Sequence, residues 1–187
     1  MLRSVEMQAA RQKDFYFVQK IIPEYFPKFE FADKKNHFEL KQEKIAGATL
    51  QNFLDQFENE NKIRKFLREN LNFRNQLLDL IWASKKVAQI SGGIFLDFFS
   101  KKDGLSNIII EEKTQKLFFI DPGPITFYAA AQNFPNKIFT ATIRKNMEQE
   151  KNIQKNLEKL CDVSKKEKKF LNLKYQIENE NLQKIFF

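Results

Sequence analysis

Between Gly93 and Gly123 stand three oxygen-bearing side chains, Asp97, Asn107 and Asp121, each flanking a short apolar run. Strands hold their ends well, so residues at strand ends can converge on one cleft. A carboxylate and an amide oxygen brought together in this way form a hard-oxygen site suited to Mg²⁺. A second carboxylate can orient a hydroxyl or accept its proton. Phosphoryl transfer needs that set: a metal to neutralise phosphate charge and a base to position the nucleophile. Each residue also has a plainer reading. Asp121 precedes Pro122-Gly123 and so suits turn initiation. Asn107 suits a turn or cap, and Asp97, between Leu96 and Phe98, suits a solvated strand edge.

The elements that must position these residues follow from periodicity. Leu2, Val5, Ala9, Phe15, Val18 and Ile22 are spaced loosely as on a helix that Pro23 ends. Pro23 and Pro27 favour extended chain, because a residue before proline avoids the helical region. Alternating Phe29, Phe31, Phe38 and Leu40 around Asp33-Lys34-Lys35-Asn36 predict a hairpin, 28–32 against 37–44, with His37 on its exposed side. Gly47 is expected to end the second strand, and Thr49 to cap a helix opening near Leu50. The strongest helical pattern runs from about Asn61 to Ile90, through Ile63, Phe66, Leu67, Leu71, Leu77, Leu78, Ile81 and Trp82, and stops at Ser91-Gly92-Gly93. Ile108-Ile109-Ile110 and Leu117-Phe118-Phe119-Ile120 predict a tight antiparallel hairpin. Residues 125 to 187 read as mostly helical, with an amphipathic stretch over 145–160 and a last piece from about Ser164. The fold class is therefore α+β.

In this arrangement the sequence resembles the protein-kinase-like superfamily, especially its small bacterial members related to aminoglycoside and lipopolysaccharide kinases. Asn107 followed by the Ile108–Ile120 hairpin and Asp121-Pro122-Gly123 is similar to the family's Asn, hairpin and Asp-Phe-Gly. Glu43-Lys44-Ile45-Ala46-Gly47-Ala48-Thr49-Leu50 looks like the hinge segment, with the pattern Glu-x-Ile-x-Gly-x-Thr-Leu. Ile22-Pro23-Glu24-Tyr25-Phe26-Pro27 looks like the segment after the small lobe's helix. The resemblance covers about Leu2 to Gly123. It implies a reduced small-lobe region over 1–46, a helix plus a hairpin, and a helical large lobe over 47–187. It further implies that ATP is bound with Mg²⁺, with Glu43 and Ile45 at the nucleotide and Asn107 and Asp121 holding both nucleotide and metal. Glu6 becomes the partner for the family's nucleotide-binding Lys, and Asp97 the catalytic residue that orients a hydroxyl of the acceptor, with Asp103 as the alternative.

The departures are specific. No His lies near the catalytic loop, since the single His is His37. The position five before Asn107 is Lys102, whereas Asp97 follows a Gly-Ile strand and Asp103 stands four before the Asn. No Gly-rich loop and no Val-Ala-x-Lys strand precede Leu2. That leaves a truncated or split start, a reduced small lobe, or a domain that no longer phosphorylates. A catalytically inactive, pseudokinase-like binding protein is accordingly the second reading.

Composition bounds the remainder. A chain of 187 residues buries roughly 70% of its unfolded surface and needs neither disulfide nor metal for stability. One Cys and one His exclude a disulfide framework, Cys-rich zinc sites and Ser-His-Asp triads. The net charge of +8 admits a nucleotide, an anionic sugar or lipid acceptor, or nucleic acid. Lys, Asn, Ile and Phe together are what an A/T-rich genome encodes, which weakens the charge as a pointer. A basic nucleic-acid-binding module is therefore the least favoured reading, and the 21 Phe are expected in the core rather than as base-stacking platforms. No run approaches the ~18 apolar residues of a membrane span. The first thirteen residues lack the apolar region of a secretory signal, so a cytoplasmic location is expected.

Overall fold

The computed structural model describes residues 2–34, 37–90, 105–121 and 137–170. They form a mixed α+β structure: helices carrying most of the core, and two small antiparallel sheets. Chain order is α1 (Leu2–Ile21), a 3-10 turn (Pro23–Tyr25), β1 (Phe29–Lys34), β2 (His37–Gln42), β3 (Gly47–Thr49), α2 (Leu50–Leu54), α3 (Glu60–Glu69), α4 (Leu71–Ile90), β4 (Ile108–Glu111), β5 (Leu117–Phe119) and α5 (Lys137–Leu160). Residues 165–170 are helical again. Among the described residues, no helix is long and apolar enough to cross a membrane.

The N-terminal helix closes at Ile21, and Pro23 then sits at the start of the 3-10 turn, where its missing N–H costs nothing. β1 and β2 pair in the register Phe29↔Gln42 to Lys34↔His37. The aromatic alternation is explained by what it meets: Phe29 and Phe31 both lie edge-on to Phe15 of α1, at 5.3 and 5.6 Å between centroids. Phe26 joins them at 5.4 Å from Phe15 and reaches Phe119 of β5 at 6.2 Å. A second cluster of Phe53, Phe57, Phe66 and Phe73 binds α2, α3 and α4 together. These rings pack on one another and on the core, as expected of them.

Two elements depart from expectation. The helix anticipated from Asn61 to Ile90 is broken at Asn70, whose backbone is non-helical (φ −118°, ψ 69°). The break is stabilised because both the backbone N–H and the side-chain amide of Asn70 donate to the Phe66 carbonyl, each at 2.9 Å. Its own carbonyl accepts the N–H of Arg74 at 3.0 Å and so starts the next helix. Just past the break, Leu71, expected on the apolar face, is 60% exposed. Beyond it, Leu77, Leu80, Ile81 and Val87 are fully buried.

The second departure is Gly47. It does not end a strand. It opens β3, which pairs antiparallel with β4 through Gly47↔Glu111, Ala48↔Ile110 and Thr49↔Ile109. The cap at Thr49 is as expected, its hydroxyl accepting from the Asn52 N–H at 3.1 Å. The hairpin β4–β5 also forms as expected, with Ile108↔Phe119 and Ile110↔Leu117 paired and all four side chains buried. One connected core contains residues from α1, the 3-10 turn region, α2, α3, α4, both hairpin strands and α5.

The C-terminal part is fastened to α4 by polar contacts. Arg74 is mostly buried, donates to the Cys161 carbonyl at 2.6 Å and pairs with Glu167 at 3.0 Å. Ser164 and Glu167 form a reciprocal capping box for the last helical turn, with bonds of 2.9 and 3.2 Å. Glu158 on α5 takes Lys85 from α4 and Lys168, the latter at 3.5 Å. Buried Gln154 donates to Ser84 at 2.8 Å.

Candidate functional site

The three-stranded sheet β3–β4–β5 is the frame of the candidate site. Its turn is tight because Gln115 adopts a left-handed backbone (φ 59°), which lets Glu111 N–H reach the Lys116 carbonyl at 2.9 Å. The outer strand β5 is satisfied by α4: buried Gln76 accepts the Leu117 N–H at 2.9 Å. At the opposite end, 105–107 form a turn in which Ile108 N–H meets the Leu105 carbonyl at 3.3 Å.

Asn107 and Asp121 meet at that base. Ile120 donates its N–H to the Asn107 carbonyl at 2.9 Å, which adds a rung beyond the Ile108↔Phe119 pair and places Asp121 next to it. Asn107 is half-buried and the Asp121 side chain is 48% exposed, within reach of solvent. Asp121 faces Arg11 of α1 with a guanidinium-to-carboxylate distance of 3.9 Å. Arg11 also lies over the Phe15 ring at 5.7 Å from its centroid, so the aromatic cluster steadies the cation.

The segment between β2 and β3 runs the length of the hairpin. At one end the Gln42 side-chain amide donates to the Ile120 carbonyl at 2.9 Å. At the other the Ala46 carbonyl accepts the Glu112 N–H at 3.1 Å. Glu43 and Ile45 fall between these anchors. Glu43 is exposed; its N–H donates to the Lys28 carbonyl at 2.8 Å, and its carboxylate accepts the Lys28 N–H at 3.4 Å. Ile45 is half-buried.

Of the residues expected from the sequence, Asn107 and Asp121 are adjacent at the base of this sheet, and Glu43 and Ile45 lie in the segment that Gln42 and Ala46 tie to it. Asp97, Asp103 and Gly123 lie outside the described residues. Glu6 falls on α1, and its side chain, like that of His37, is outside what is described.

Four contributors were not anticipated. Arg11 carries no local signal, since a basic residue on a helix is ordinarily solvated. Gln42 and Gln76 could have been suspected as long amides beside strands, but only the fold shows which backbone groups they satisfy. Tyr25 is a further one: its hydroxyl donates to Asp79 of α4 at 2.8 Å. Burial first, and then that bond, push the phenol well above the usual tyrosine range.

No protein-family model, curated protein or solved structure matches the chain. The arrangement of its own residues is therefore the basis for a functional reading.

Proposed function

We propose that this chain is a kinase-like domain that binds ATP with Mg²⁺ along the β4–β5 hairpin and transfers the γ-phosphoryl group to a hydroxyl acceptor. The observation that carries the reading is the Gln42–Ala46 segment, tied at one end to Ile120 and at the other to Glu112. It sets a hinge-like stretch along a hairpin whose base holds an amide and a carboxylate. Four residues of β4 at about 3.3 Å each span roughly 13 Å, and the segment lies along them with Glu43 toward the base and Ile45 toward the turn. The base of the nucleotide is assigned to the Glu43–Ile45 stretch and its phosphates to Asn107 and Asp121.

The donor set fits Mg²⁺. A carboxylate and an amide oxygen are hard ligands, and Mg²⁺ is usually held by one or two carboxylates together with waters and substrate phosphates. When bound, the metal would neutralise phosphate charge. Asn107 and Asp121 hold it, Asp97 (or Asp103) orients the acceptor hydroxyl, and the basic surface favours an anionic sugar or lipid as acceptor.

The ion pair between Arg11 and Asp121 favours a second reading, in which the same scaffold binds nucleotide or a protein without transfer. Incubation with γ-labelled ATP separates the two. Label appearing in an acceptor or in phosphate, and lost in Asp97→Ala, supports transfer with Asp97 as the orienting residue. Loss in Asp103→Ala alone moves that role to Asp103. Retention of ATP without turnover supports the binding reading.

A further inference from the structure

Arg11 stands beside Asp121, where the proposed nucleotide would place its phosphates. Its guanidinium is 3.9 Å from Asp121, with the two side chains 57% and 48% exposed, so this pair is open to solvent. An exposed ion pair of this length contributes little to stability. It is therefore easily exchanged. A guanidinium is a planar fork of N–H donors that suits phosphate oxygens in a bidentate manner and never loses its charge. Arg11 also projects from a helix fixed by Phe15, which is 1% exposed, so its stem is anchored while its head is accessible.

We infer that Arg11 is a polyphosphate-binding residue, paired with Asp121 in the nucleotide-free protein and transferred to the nucleotide's phosphates when Asp121 takes Mg²⁺. The inference rests on the nucleotide reading above and adds to it the source of the positive charge. The exchange has two consequences of opposite sign. Without nucleotide, Arg11 competes with Mg²⁺ for Asp121 and weakens metal binding. With nucleotide, it adds charge-assisted hydrogen bonds to phosphate and strengthens binding of the complex.

The test is isothermal titration of the whole chain with MgCl₂ alone, with ATP in EDTA, and with ATP in MgCl₂, using wild type, Arg11→Gln and Arg11→Lys. The expected result for Arg11→Gln is about a tenfold loss of affinity for ATP in MgCl₂, with MgCl₂ alone bound no more weakly than by wild type. Arg11→Lys, which keeps the charge but loses the fork, is expected to fall between. Circular dichroism of each variant checks that the fold is kept. If wild type binds ATP in MgCl₂ and Arg11→Gln binds it equally, the role of Arg11 is overturned and the nucleotide reading stands. If wild type binds no ATP under any condition, both are overturned.

Discussion

Gly47 lies directly against the Ile110 carbonyl: a Cβ at Gly47 would come within 1.9 Å of that oxygen and 2.8 Å of its carbon. Backbone cannot yield as a flexible side chain would. The glycine is thus the reason β3 can close on β4 and carry the Gln42–Ala46 segment onto the hairpin. Gly47→Ala is expected to destabilise the protein by about 1–3 kcal/mol, the usual cost of overpacking, measured as a lowered urea midpoint. An unchanged midpoint would show that β3 does not approach β4 this closely.

Tyr25 and Asp79 join the turn after α1 to α4. Tyr25→Phe removes the donor and is expected to cost about 1 kcal/mol, read from denaturant melts. The pH dependence follows from the raised phenol. Above the ordinary tyrosine value of 10.0, the unfolded chain has released this proton while the folded protein keeps it. The unfolded state then binds fewer protons, so stability falls as pH rises above that value. In a phenolate absorbance titration, Tyr25→Phe should remove a step that lies above the ordinary tyrosine range.

Cys161 is 1% exposed at the end of α5, and burial pushes its thiol up to about 12, with Arg74 opposing only in part. Thiolate is the reactive form. Alkylation by iodoacetamide at pH 8 is expected to be slow in the folded protein and to rise with urea along the unfolding curve. Rapid labelling without denaturant would contradict the packing of Cys161 against α4.

Legibility in the sequence varied with the kind of interaction. The β4–β5 hairpin was readable because Ile108, Ile110, Leu117 and Phe119 are strong apolar strand formers around a polar turn, and the same periodicity buries them. The Phe29 and Phe31 alternation worked in the same way. The break at Asn70 was not readable, since Asn is tolerated within helices and only the fold shows its non-helical backbone, held by two hydrogen bonds to the Phe66 carbonyl. β3 was hidden because Gly-Ala-Thr has no strand pattern; its pairing comes from a close backbone approach. The adjacency of Asn107 and Asp121 was legible because they flank the two strands of one hairpin. Arg11 was not, because its partner lies on a distant segment that only the folded chain brings near.

Asp121 at the hairpin base is the residue proposed to hold Mg²⁺ against a bound nucleotide. The most direct test is the melting temperature of wild type and Asp121→Asn, each alone, with ATP in EDTA, and with ATP in MgCl₂. Ligand that binds the folded state raises the melting temperature by mass action, by about 2.7 kcal/mol of stabilisation at a hundredfold excess over Kd. A rise of several degrees is expected for wild type with ATP in MgCl₂, greatly reduced in EDTA and in Asp121→Asn. No rise in wild type, or an equal rise in Asp121→Asn, would contradict it.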